Sequence, residues 1–192
     1  MIGFFYLVEF MIHYIIPWNT EKNIGVSYNS SMDLVNDDDY ICFLDADACF
    51  TTHFFGKQIE SIVKKYPDSG FFTCYTNRVG CTWQLYGNPS SNDISYHREI
   101  GLNLYNEHYD SVTQIQDPVN ALSGVLMLVS KKIWKDLGGF NEKGMLGVDN
   151  EFYFRALSQN KVIYRMNGVY VYHWYRGGNF ERTIENQKHL LS

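Results

Sequence analysis

Short, continuous apolar runs alternate along the chain with longer stretches in which apolar residues recur every three or four positions. Residues 11–16 form a run ended by Pro17, which predicts a buried first strand whose C-terminal end carries Pro17, Trp18 and Asn19. Ile24, Tyr28, Met32 and Val35 stand at helical spacing behind Asn19 or Thr20 as N-cap, predicting a helix over residues 22–35. Residues 40–44 are apolar throughout and too few for a helix, as expected of a strand covered on both faces. A stripe of Phe55, Ile59, Ile62 and Val63, with Lys64 and Lys65 in the last turn and PDSG as a stop, predicts a helix over 53–66. Residues 70–75 and 123–131 read as further strands, the second leading into the short helix KKIWKDLG. A helix follows from Asp149, opened by an acid that complements its N-terminus, then short strands at 161–165 and 169–173 and a polar tail ending as a helix. Between residues 77 and 118 the chain is polar and aromatic, with one helix near 96–106, and an excursion of that length reads as a lid or acceptor loop. This order predicts a single α/β domain over residues 1–192, a mainly parallel sheet with helices on both faces.

At 192 residues the domain can bury a core that needs no disulfide or metal staple. The four cysteines form no CxxC pair and are read as reduced, in a cytoplasmic protein, soluble or peripheral to a membrane. Glu9 and His13 interrupt the apolar N-terminus, which argues against an integral membrane segment. Net charge is −5 and no stretch concentrates Lys and Arg, so a nucleic-acid partner lacks an electrostatic footprint and a small-molecule substrate fits better.

The candidate chemistry begins in DDDYICFLDADACF, residues 37–50. Ligands of open α/β sheets collect at the carboxyl ends of strands, where Asp45, Ala46 and Asp47 fall. In extended backbone, residues two apart share a side, so Asp45 and Asp47 aim into the same crevice. Carboxylates about 6 Å apart repel by about 3 kcal/mol at an effective dielectric near 20, and a divalent cation would neutralise them. Oxygen ligands of this kind suit Mg2+ or Mn2+. Read alone, however, a D-x-D after a strand is a solvated turn. Asp37, Asp38 and Asp39 precede the strand, at the end away from the crevice, and are read as solvated.

Four blocks together resemble family 2 type glycosyltransferases of the GT-A fold: NIGVSYN, ICFLDADACF, SGVLMLVSKKIWKDLGGFNE and GVDNEFYFRALSQNKVIYRMNGVYVYHW. The resemblance covers most of the chain outside residues 77–118. It implies transfer of a sugar from a nucleotide-diphosphate donor, a UDP- or GDP-sugar, to a glycan or other hydroxyl acceptor, with Mn2+ or Mg2+ as cofactor. Asp47 resembles the family's metal-ligand acid. Asp45 resembles the acid that contacts the ribose or reaches the metal through water, and His173 the histidine that supplies a further metal ligand or touches the diphosphate. Asp149 stands where the family's general base stands, whereas Val148 replaces its usual glutamate, which leaves the acceptor open. Pro17, Trp18, Asn19, Asn29 and Ala46 are the remaining candidates for the nucleotide side. Gly139, Phe140, Asn150 and Trp174 are those for the acceptor, with Trp83, Tyr86 and Tyr175 as possible stacking rings. The chain departs from the family in passing from first strand to first helix through PWNTEK alone, which abbreviates the nucleotide-binding half. A nucleotidyltransferase would want a Gly-rich, basic phosphate loop there, and none is present. A non-catalytic glycan- or nucleotide-binding domain is the other alternative.

Overall fold

A computed structural model describes residues 10–143 and 146–175; the lead-in before Phe10 and the tail helix expected after residue 175 lie outside them. The described residues form one seven-stranded sheet in the order β1-β2-β6-β4-β7-β3, with β5 pairing on β7. In chain order the elements are β1 (Ile12–Ile15), α1 (Ile24–Asp33), β2 (Tyr40–Leu44), β3 (Ala48–Phe50), α2 (Phe55–Lys65), β4 (Phe71–Thr76), α3 (Ile94–His108), β5 (Val112–Ile115), β6 (Leu126–Ser130), α4 (Lys131–Leu137), α5 (Val148–Ser158) and β7 (Ile163–His173). Strands β1, β2, β4 and β7 run one way, while β3, β5 and β6 run the other. The α/β class is as expected.

Period-two alternation in the central strands sorts residues between two cores. Ile41, Phe43, Phe71, Met127 and Val129 face Tyr28 and Met32 of α1, Ile133 of α4 and Phe152 of α5. Tyr40, Cys42, Phe72, Leu126 and Leu128 face Ile59, Ile62 and Val63 of α2. Because both faces are covered, these strands read as unbroken apolar runs rather than as alternating ones. Each fully buried Ile or Val of the α2 stripe contributes about 1.5–3 kcal/mol. All four cysteines are free, with Cys49 exposed and the others buried.

Several elements differ from the sequence expectation. Helix α1 starts at Ile24 because Asn19 accepts the N–H groups of Glu21 and Asn23 in a tight turn, Lys22 takes φ +54°, and Asn23 becomes the N-cap. The two short C-terminal strands are one continuous strand, β7, with a register shift opposite Cys74 and Tyr75. Asn167 is kept in it by Ser111, which accepts its N–H, and the Gly168 carbonyl accepts from buried Gln58. The excursion at residues 77–118 is built into the fold. It holds a 3-10 turn (Thr82–Gln84), the full fifteen-residue α3 packed on β7, and β5. Gly138 ends α4 in the left-handed conformation at φ +77°, a helix stop that glycine adopts without strain.

Asp39 corrects the solvated reading of the DDD run. It is 2% exposed and accepts from the N–H groups of Met11 and Asn36, the Asn36 side chain and His13. These bonds hold its carboxyl below the usual range against the opposing effect of burial. Asp37 and Asp38 remain exposed, Asp37 beside Lys135.

Candidate metal centre and base

The carboxyl ends of β1, β2, β4 and β7, the start of β6 and the N-terminus of α5 meet along one edge of the sheet, and most candidate residues gather there. Asp45 follows β2 and Asp47 precedes β3, whose pairing places Ala48 opposite His173. Trp174 donates its N–H to the Asp47 carbonyl at 2.8 Å, which fastens the D-x-D turn to the end of β7. His173 Nε2 then lies 3.2 Å from Asp47 Oδ1 and 3.8 Å from Asp45 Oδ2. One ligand atom from each of the three residues falls within a 4.8 Å cluster.

The buried His173 ring is fixed from behind. Its Nδ1 lies 2.7 Å from the Arg78 carbonyl. A carbonyl only accepts, so Nδ1 carries the proton and Nε2 is presented to the two carboxylates. Nε2 facing two anions is satisfied either by a proton on that nitrogen, which makes an ion pair, or by a metal cation. Metal-bound histidines are oriented in this way, by an outer-shell acceptor on the opposite nitrogen. His173 N–H donates to Asn77 Oδ1 at 2.8 Å, while Asn77 Nδ2 and the neighbouring Thr76 Oγ1 are buried without a partner among the described residues. Such orphans ask for water or ligand. Two carboxylates and an imidazole suit Mn2+ better than Mg2+, which prefers an all-oxygen shell.

Asp149 enters the same edge from the first turn of α5. Its Oδ2 accepts the Gly124 N–H at 2.6 Å, and the next residue, Val125, accepts the Asp45 N–H through its carbonyl at 3.1 Å. The turn before β6 thus holds both acids. A Cβ on residue 124 would sit 3.0 Å from Asp149 Oδ2, so glycine lets the backbone come this close. Burial raises the Asp45 carboxyl to about 6, with Asp47 and Asp149 adding to the rise and His173 opposing it. Burial also raises Asp149, against backbone N–H groups of residues 150, 124 and 149 that favour its charged form. An acid poised upward in this way is better matched to accept a proton near neutral pH.

The other expected site residues divide. Trp174 is 52% exposed beside His173, and Trp18 is 76% exposed at the end of β1, so both rings are open to a ligand. Pro17 is half-buried and Ala46 exposed at the same edge, and Asn150 follows Asp149 on α5. Tyr86 is exposed and packs on Tyr75, while Trp83 is partly buried against Tyr153. Asn19 is committed to its turn. The Asn29 carboxamide is fully engaged within the fold. Its Oδ1 accepts from Trp134 Nε1 and Phe140 N, and its Nδ2 donates to the Phe140 carbonyl and Glu142. Both lone pairs and both protons are thereby used to brace the turn after α4. Gly139 lies against that amide, and the Phe140 ring is buried on Phe152 at 4.1 Å between centroids, so neither offers an acceptor a surface. Asn29→Ala should therefore cost about 1–3 kcal/mol of stability in urea unfolding and leave nucleotide affinity unchanged. A nucleotide affinity that falls while stability holds would restore the ligand role.

Arg78, Asn77 and Gly124 escaped the sequence reading. A lone arginine, an Asn after a strand and a Gly before one carry no periodic signal, and they matter only through partners distant in the chain. A cleft of about 610 Å3 lies at the opposite edge between Asp38, Gly70, Ser130, Lys132 and Lys161, and contains none of these acids. Among the described residues no helix is long and apolar enough to cross a membrane. No family model matches the chain, and no curated protein matches it at a significant level.

Proposed function

We propose that the protein is a metal-dependent glycosyltransferase that moves a sugar from a nucleotide-diphosphate donor to an acceptor hydroxyl. The observation that carries this reading is the pairing of a preoriented imidazole with Asp45 and Asp47, beside a raised carboxylate, Asp149, that is held by the same pre-β6 turn that binds the Asp45 N–H. Asp47, His173 and Asp45 would hold Mn2+, or Mg2+, and the ion would offset charge on the departing diphosphate. Asp149 takes the proton of the acceptor hydroxyl as its oxygen bonds to the anomeric carbon and the bond to the diphosphate oxygen breaks. A single displacement of this kind inverts the anomeric centre. The exposed rings of Trp174 and Trp18 give sugar or base a stacking surface. The short passage from β1 to α1 favours, as a second reading, a domain that binds nucleotide or glycan without transfer.

Calorimetry with UDP, GDP and their sugars, with and without Mn2+, tests the proposal. Binding should require Mn2+ at pH 7.5 and weaken as pH falls through 6. The sign follows from Asp45, whose raised carboxyl is charged above about 6 and protonated below it, so protons displace the ion on the acid side. Absence of any metal-dependent nucleotide binding would sink the enzyme reading, and binding without transfer would favour the second.

A further inference from the structure

Gln84 ends the 3-10 turn in the excursion between β4 and α3, and its side chain is completely buried. Its carboxamide grips both polar groups of one residue: Oε1 accepts the Ser123 N–H at 2.8 Å, and Nε2 donates to the Ser123 carbonyl at 3.1 Å. Nε2 also donates to Thr73 Oγ1 at 2.8 Å. Thr73 gives its only hydroxyl proton to the Leu126 carbonyl at 2.8 Å, so toward Gln84 it accepts. The carboxamide therefore has one orientation.

The Ser123 carbonyl and the Gly124 N–H belong to the same planar peptide unit and point in opposite directions. One side of that unit is held by Gln84. The other donates to Asp149 Oδ2 at 2.6 Å. From this chain of bonds we propose that Gln84 is a positioning residue for Asp149, acting through the Ser123–Gly124 peptide. Gln84 fixes the plane of the peptide and, by donating to its carbonyl, polarises the N–H that orients the carboxylate. The peptide cannot rotate away from Asp149 without breaking the bond from Gln84 to a half-buried carbonyl. The role deepens the transferase reading, and its consequence for rate rests on that reading, but the relay itself does not.

Gln84→Met keeps length and volume and removes all three hydrogen bonds, the two to Ser123 and the one to Thr73. In the 15N-labelled variant the Gly124 amide proton should move upfield from its wild-type position and exchange about tenfold faster or more. In transfer assays kcat should fall about 10- to 100-fold, the scale of a misplaced catalytic group, while donor KM and Mn2+ affinity stay within about twofold. A wild-type Gly124 resonance and exchange rate in a folded Gln84→Met protein would overturn the proposal. Equal losses in kcat and Mn2+ affinity would also overturn it, because they report general damage to the edge. Should the variant not fold, scalar couplings across the hydrogen bonds of the wild-type protein decide. Couplings from Gln84 Nε2 to the Ser123 carbonyl and from Gly124 N to the Asp149 carboxyl support the relay, and the absence of either overturns it. If wild-type protein transfers no sugar, the base reading fails while the amide measurements still decide the relay.

Discussion

Asp149→Asn should lower transfer about 10²- to 10⁴-fold while Mn2+-dependent donor binding keeps its affinity. The substitution is close to isosteric, and an amide oxygen can still accept the Gly124 N–H that Oδ2 accepts in the wild type. What disappears is a site for the acceptor's proton. Donor binding should survive because the His173 ring is oriented by the Arg78 carbonyl and its Nε2 faces Asp45 and Asp47, an arrangement built without a bond to Asp149. A secondary effect distinguishes loss of charge from misfolding. Asp149 helps raise Asp45, so its neutralisation should lower the Asp45 carboxyl and move the acid limb of Mn2+ binding to lower pH. A variant that transfers within about threefold of wild type would refute the base assignment, since general-base catalysis is worth more than that.

Asp47→Ala should abolish the Mn2+ dependence of nucleotide binding, with metal affinity falling about 100-fold or more. Even outer-shell partners of a metal cost about 10- to 100-fold when removed, and a direct ligand costs more. The side chain is half exposed and stands 3.2 Å from His173 Nε2, so its loss removes a ligand atom without opening a cavity in either core. Stability without metal should accordingly change little. Titration of Mn2+ into wild type and variant, followed by calorimetry or by the water-proton relaxation of the ion, reads the difference. Equal Mn2+ affinity in the two proteins would place the ion elsewhere.

Much of the edge that carries these residues was legible beforehand because its signals are local. A five-residue apolar run with an acid just past its end identifies β2 and aims Asp45 and Asp47, since strand length and side-chain alternation are properties of consecutive residues. The α2 stripe and the acid opening α5 are legible for the same reason. Asp39 was misread because a run of like charges looks solvated until Met11, 28 residues away, turns its N–H into the carboxylate. Strand β5 was hidden in a polar segment because its burial pattern leaves only Ile115 inside, and its partner β7 lies about fifty residues downstream.

By itself, then, the sequence determined the α/β class, the helices that cover both faces, and the placement of an acid pair at a strand's carboxyl end. All of these follow from periodicities of two and 3.6 residues. Only the tertiary structure decided which residues the acids would meet. His173 is oriented by a carbonyl 95 positions away, Asp149 by an N–H 25 positions away, and the Asn29 carboxamide is held by partners more than 100 positions distant. Hydrogen bonds of that span are set by how the sheet brings the ends of its strands together, and no local pattern of residues encodes them.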